Sequence, residues 1–167
     1  MEQYDHFAYA LDLTKKMKLF KDHVDDSFFT APNSDSLASI SARLSSINYP
    51  VLVAIDGRDS TFDYNDAESL IKKPQFFIMI LQPAPTDDTN AILTAQGVCE
   101  ANCLQIQARL ISDSLKYQNG LIALELASFT FSSIGPLGEN LYGEIMGFVN
   151  PNGIDKKIDP AFWNAEP

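Results

Sequence analysis

The residues most capable of chemistry are the acids of the stretch DGRDSTFDYND and its continuation, namely Asp56, Asp59, Asp63, Asp66 and Glu68. Carboxylates grouped near a turn suit a hard cation such as calcium, which takes six to eight oxygen ligands. The order of acids does not follow the D-x-[DN]-x-[DN]-G loop with its closing glutamate, and Phe62 and Tyr64 interrupt it. A solvated turn is the plainer reading. Cys99 and Cys103 lie four apart in a predicted helix, on one face but poorly placed for a mutual disulfide. With no third or fourth ligand at a zinc-type spacing, they are expected to pack as small hydrophobes. His6 and His23 fall at the two ends of one predicted helix, nearly five turns apart, and cannot converge within a chain. No G-x-S-x-G elbow accompanies the many serines, and a serine without a base is not a nucleophile. Gly135-Pro136-Leu137-Gly138 links two predicted strands, whereas a phosphate cradle feeds a helix N-terminus. No catalytic residue, metal ligand or cofactor contact is assigned.

The whole-chain balance narrows the partners. A chain of 167 residues with 46 % hydrophobic and 20 % charged residues suits a globular domain. The formal net charge of -10 and a pI near 4.4 disfavour phosphate backbones and anionic membranes. Lys15, Lys16, Lys18 and Lys21 cluster, but Asp22, Asp25 and Asp26 follow at once, so this is a solvated helix face. The start Met1-Glu2-Gln3-Tyr4-Asp5 has no basic, apolar leader pattern, and the run Phe76–Leu81 is far short of the ~20 residues of a membrane helix. Two unpaired cysteines fit a reducing compartment.

Positioning these residues falls to seven expected elements. Ala10, Leu13, Met17, Phe20 and Val24 recur at helical spacing and predict a first helix from Tyr4 to about Val24. Phe28 and Phe29 are expected to reach the core from a loop closed by Pro32. Leu37, Ile40, Leu44 and Ile47 predict a second helix over Asp35–Ile47, ended by Pro50. Val51–Ile55 and Gln75–Gln82 are predicted strands, and the second is apolar on both faces and therefore central. Thr61–Lys73 supports either strand or helical turn. Thr86-Asp87-Asp88-Thr89 caps a long helix, with Ile92, Ala95, Cys99, Cys103, Ile106 and Leu110 on one stripe and Leu93, Leu104, Ile111 and Leu115 on a second. Asn119-Gly120 ends it. Leu121–Phe131 and Leu141–Val149 are predicted as closing strands joined across Ser132–Asn140.

The expected fold is α+β, a mostly antiparallel sheet of about four strands packed with helices in the order α-α-β-β-α-β-β. Residues 1–150 form the domain and 151–167 a C-terminal arm. Gly143 and Gly147 weaken a strand unless they permit a bulge or the close approach of another backbone. Phe162 and Trp163 are aromatic anchors on the arm, expected either to fold back on their own domain or to dock on a neighbouring subunit. These four residues, Gly143, Gly147, Phe162 and Trp163, are the candidate interface.

The run Tyr49-Pro50-Val51-Leu52-Val53 after an amphipathic helix, the long helix to Lys116, and SFTFSSIGPLGENLYGEIMGFV over Ser128–Val149 together resemble the tail-terminator and head–tail joining proteins of tailed phages and prophages. That resemblance implies a small acidic α+β subunit that assembles into a ring and carries out no reaction. Its partners would be copies of itself and other phage structural proteins, without direct nucleic-acid or membrane binding, in a bacterial cytoplasm or an assembled virion. A bacterial protein-binding adaptor is the alternative, followed by a small metal-dependent hydrolase centred on Asp56–Glu68.

Overall fold

The computed structural model describes residues 4–32, 37–56, 60–64 and 70–153, with the backbone alone at 37–39, 62–64, 70 and 152–153. Along the chain run α1 (His6–Lys16), β1 (Phe28–Ala31), α2 (Leu37–Leu44), β2 (Val51–Ile55), β3 (Ser60–Tyr64), β4 (Leu70–Pro83), α3 (Thr89–Leu115), β5 (Thr130–Leu137), β6 (Leu141–Val149) and β7 (Asn152–Gly153). The class is α+β as expected, but the sheet has seven strands instead of about four. Its main path is β1-β2-β4-β6-β5, with β3 and β7 both paired to the first part of β4. Among the described residues only β1 with β2 is parallel, and every other pair is antiparallel.

Strand β4 organises everything else. Over Gln75–Pro83 it pairs with β6, and over Phe77–Leu81 also with β2. Alternate side chains of a strand point to opposite faces. Phe76, Ile78 and Ile80 therefore enter one core with Leu13 of α1 and Cys99, Cys103, Ile106 and Leu110 of α3. Met79 and Leu81 enter a second core with Val51, Val53 and Ile55 of β2 and Ile40 and Leu44 of α2. Ile78 through Leu81 have no exposure at all, so the uninterrupted apolar run does mark the middle of the sheet. The first part of the strand, Leu70–Pro74, carries β3.

Four local expectations are corrected. The first helix stops at Lys16, because Met17 is extended and a 3-10 turn at Lys18–Phe20 then drives Phe20 into the core. His6 and His23 thus do not share a helix. Phe28 and Phe29 lie in a strand, paired with Leu52 and Val53, and not in a loop. The second helix ends at Leu44, three residues early, with the Ile47 amide donating to the Leu44 carbonyl in a closing turn. The alternation over Leu121–Phe131 is not a strand: Leu121 and Leu124 are buried three apart in a turn, Ile122 and Leu126 face solvent, and a 3-10 turn occupies Leu126–Ser128. The strand starts only at Thr130 and runs on through the predicted link to Leu137.

Among the described residues no helix is long and apolar enough to cross a membrane. The pairing of Asn152 with Lys72 carries the sheet through Gly153.

Candidate functional site

The longest element, α3, has two faces of different character. Its start is fixed by Asp88, whose carboxylate accepts from the amides of Asn90 and Ala91, both at 3.0 Å. The inner face carries Ala95, Cys99, Cys103, Ile106, Leu110 and Asp113, all buried. The Cys99 and Cys103 Sγ atoms lie 3.8 and 3.9 Å from the Tyr142 and Glu144 carbonyls, as weak donors to β6. Burial pushes both thiols up to about 12, which keeps them protonated and unreactive. They are packing residues.

Asp113 closes the inner face. Its Oδ2 accepts from Tyr9 OH at 3.0 Å, Arg109 Nε at 2.9 Å and Asn119 Nδ2 at 3.2 Å. Burial, then the bond to Asp113, raises the Tyr9 phenol, while the same carboxylate raises Arg109. Three donors satisfy a carboxylate that would otherwise be too costly to bury. The node ties α1 to the end of α3, where Tyr117, Asn119 and Gly120 reverse the chain with positive φ of 56°, 55° and 69°. Beside it a shallow cleft of about 170 Å³ opens between α1 and α3, floored by Leu13, Met17 and Ile106 and rimmed by Lys16 and Arg109.

Two further polar groups lie under the helices. Glu144 shares the helix-covered face with its cross-strand neighbour Ile80 and accepts from Ser133 Oγ at 2.9 Å. Burial raises its carboxyl, and the Ser133 bond opposes that rise. His6 bridges α1 to the sheet: Nε2 donates to the Phe77 carbonyl at 3.0 Å and Nδ1 accepts from Tyr4 OH at 3.0 Å. Both bonds are made by the neutral ring, and burial pushes His6 down to about 4.

The outer face of α3 is the unusual surface. Leu93, Leu104 and Leu115 are 61 %, 45 % and 73 % exposed. The small residues Gly97, Ala101 and Ala108 are also exposed between them. In 27 residues the helix carries only three charges, Glu100, Arg109 and Asp113. Asp113 is buried and Arg109 turns toward α1, which leaves Glu100 as the single charge on the outer stripe. A surface helix normally sets charged residues on its solvent side. In a chain of net charge -10, this outer face is apolar and nearly uncharged.

The predicted site residues distribute as follows. Gly143 and Gly147 lie in β6 between β4 and β5, and the close approach they permit is made within the chain. A Cβ at Gly143 would collide with the Ile80 carbonyl oxygen, and one at Gly147 would meet Thr130 Oγ1 at 2.6 Å and the Phe77 ring at 2.9 Å. Phe162 and Trp163 lie outside the described residues, as do Asp59, Asp66 and Glu68 of the acidic group. Among the described residues no three His, Cys, Asp or Glu side chains come together as a metal-binding group. The outer stripe of α3 was visible in the sequence as a second apolar side, but periodicity alone assigns both sides to a core. The His6 and Asp113 nodes gave no sequence signal, because their partners lie 71 and 104 residues away. No protein-family model, curated protein or solved structure matches the chain.

Proposed function

We propose that this chain is a structural subunit that acts by self-assembly and not by catalysis, of the tail-terminator or head–tail joining type in a phage or prophage particle. The observation that carries the assembly reading is the outer face of α3, with three exposed leucines and one charge along 27 residues. Exposing such a stripe to water is unfavourable by roughly 25 cal/mol for each Å² of apolar surface, so covering it with another protein is favourable. The buried polar side chains support the same reading. His6, Asp113 and the two cysteines each satisfy a neighbour inside the fold, and Tyr9, which lines the cleft between α1 and α3, is held by its hydrogen bond to Asp113. The phage assignment rests on the order of elements from the Tyr49-Pro50 entry into β2 through the long helix to the closing β5–β6 hairpin.

Sedimentation of the purified chain over a concentration series, followed by electron microscopy of any large species, tests the reading. Discrete oligomers, or capping of purified tail tubes, would support it. A chain that stays monomeric both alone and with tail-tube protein would refute it.

A further inference from the structure

The outer stripe of α3 is complementary to itself. Leu93, Leu104 and Leu115 follow one another at eleven residues, close to three turns at 3.6 residues per turn, so all three lie within about 20° of one line. Leu104 is the midpoint of that line. Gly97 and Ile111 stand seven residues before and after it, and Glu100 and Ala108 four before and after. We propose that two copies of this chain pair through α3, antiparallel, about a two-fold axis at Leu104. The inference rests on the assembly reading above and adds a contact that closes at two copies, distinct from the head-to-tail contact that builds a ring.

In that arrangement Leu93 of one copy meets Leu115 of the other, and Leu104 meets Leu104. Ile111 enters the notch left by Gly97, where a Cβ would meet nothing within 4 Å, so the space outside that glycine is open. Ala101 and Ala108 keep the flank low enough for helix axes to approach to 8–10 Å. Such a two-fold contact uses the same patch on both copies, as an isologous interface must.

Charge selects the direction. A parallel pair in register would set Glu100 against Glu100, a like-charge contact. The antiparallel pair separates those carboxylates by eight residues of helix, about 12 Å at 1.5 Å per residue, more than the Debye length of about 8 Å at physiological salt. Each Glu100 then lies level with Ala108 and beside Gln107 of the other copy. The area fits a weak pair. A stripe about 33 Å long on a helix about 12 Å across offers about 400 Å² per copy. The pair thus buries about 800 Å², under the roughly 1,000 Å² of a stable interface, so its association should be reversible and concentration-dependent.

Cysteine cross-linking of the full-length chain tests the geometry. Helix axes 8–10 Å apart bring facing Cα atoms to about 6 Å or less, within disulfide reach. The native thiols are buried and protonated, so the wild-type chain should give no cross-link under copper–phenanthroline in air, which oxidises two facing thiols to one disulfide. Leu104→Cys should give a covalent dimer on a non-reducing gel. Leu93→Cys and Leu115→Cys should each remain monomeric alone and form a dimer when mixed. Thermal melts of each variant check the fold, and exposed positions should leave it intact. A protein that associates while Leu104→Cys fails to cross-link would overturn the pairing and leave the assembly reading standing. In that case the face takes another occupant, such as residues 154–167 or a different protein. Self-linking of Leu93→Cys would show a parallel pair and also overturn it. A wild-type chain that is monomeric at every concentration would overturn the pairing, and failure to engage tail-tube protein as well would overturn the assembly reading.

Discussion

Acidifying the protein from pH 7 toward pH 4 should remove a large part of its stability through one side chain, His6. The imidazole is buried between α1 and the sheet and lies tilted against Phe76 with ring centroids 4.9 Å apart, both nitrogens engaged as a neutral ring. Burial lowers it to about 4, opposed by the bond to the Phe77 carbonyl and by the charges of Asp56 and Asp5. The unfolded chain protonates His6 near 6.5. Between those values the unfolded state binds more protons, so stability rises with pH. The full contribution is therefore present above pH 6.5, declines as pH falls, and is gone below about 4. A difference of about 2.5 pKa units corresponds to about 3 kcal/mol at 1.36 kcal/mol per unit, which is a large share of the 5–15 kcal/mol typical of a domain. The assay is urea denaturation at intervals from pH 4 to pH 8 for the wild type and for His6→Gln, which keeps a donor for Phe77 but does not titrate. His6→Gln loses stability at pH 8 through poorer packing, yet its curve should be flatter between pH 4 and 6.5. Carboxylates shared by both proteins cancel in the difference, including Glu144, whose raised carboxyl gives the opposite slope. Parallel curves for the two proteins would refute the argument.

Other perturbations should follow the packing. Ile78→Asp places an unpaired charge at a fully buried position of β4 and should abolish folding; a soluble variant melting within ~2 °C of the wild type would contradict the central placement of that strand. Gly143→Ala drives a Cβ into the Ile80 backbone and should cost at least about 2 kcal/mol. Gly147→Ala meets side chains that can move and should cost less, so the reverse order in denaturant melts would be a failure. Cys99 and Cys103 should react with Ellman's reagent only after denaturation, and replacing both by alanine should destabilise by about 2 kcal/mol without altering association. Rapid labelling of the native protein would show that the inner face of α3 is open.

How much was legible in the sequence depended on the range of the interaction. Elements defined by their own periodicity were found with nearly correct limits: β2, the central part of β4, the long α3 behind its Asp88 cap, and β6. The segment from Leu121 to Phe131 mimicked a strand because Ile122, Leu124 and Leu126 alternate with their neighbours, while the decisive fact was that of these three only Leu124 is buried. Strand β1 has four residues and gains its ladder only from Leu52 and its neighbours, so local propensity could not separate it from a loop. Gly143 and Gly147 announced a close approach but not whose backbone comes close. That answer needed the β4–β6 register, which places the Ile80 and Phe77 positions beside them. The candidate surface was half legible: two apolar sides of α3 could be counted, but only the position of the sheet shows which side is left to solvent.

The central claim is that the outer face of α3 joins subunits. Sedimentation velocity of the full-length wild type and of Leu104→Asp, each over a wide concentration range in the same buffer, tests it most directly. The account predicts that the wild type sediments faster as concentration rises, while Leu104→Asp, at a position 45 % exposed, stays a monomer with an unchanged melt. A wild type that is monomeric throughout, or a Leu104→Asp variant that associates as strongly as the wild type, would contradict it.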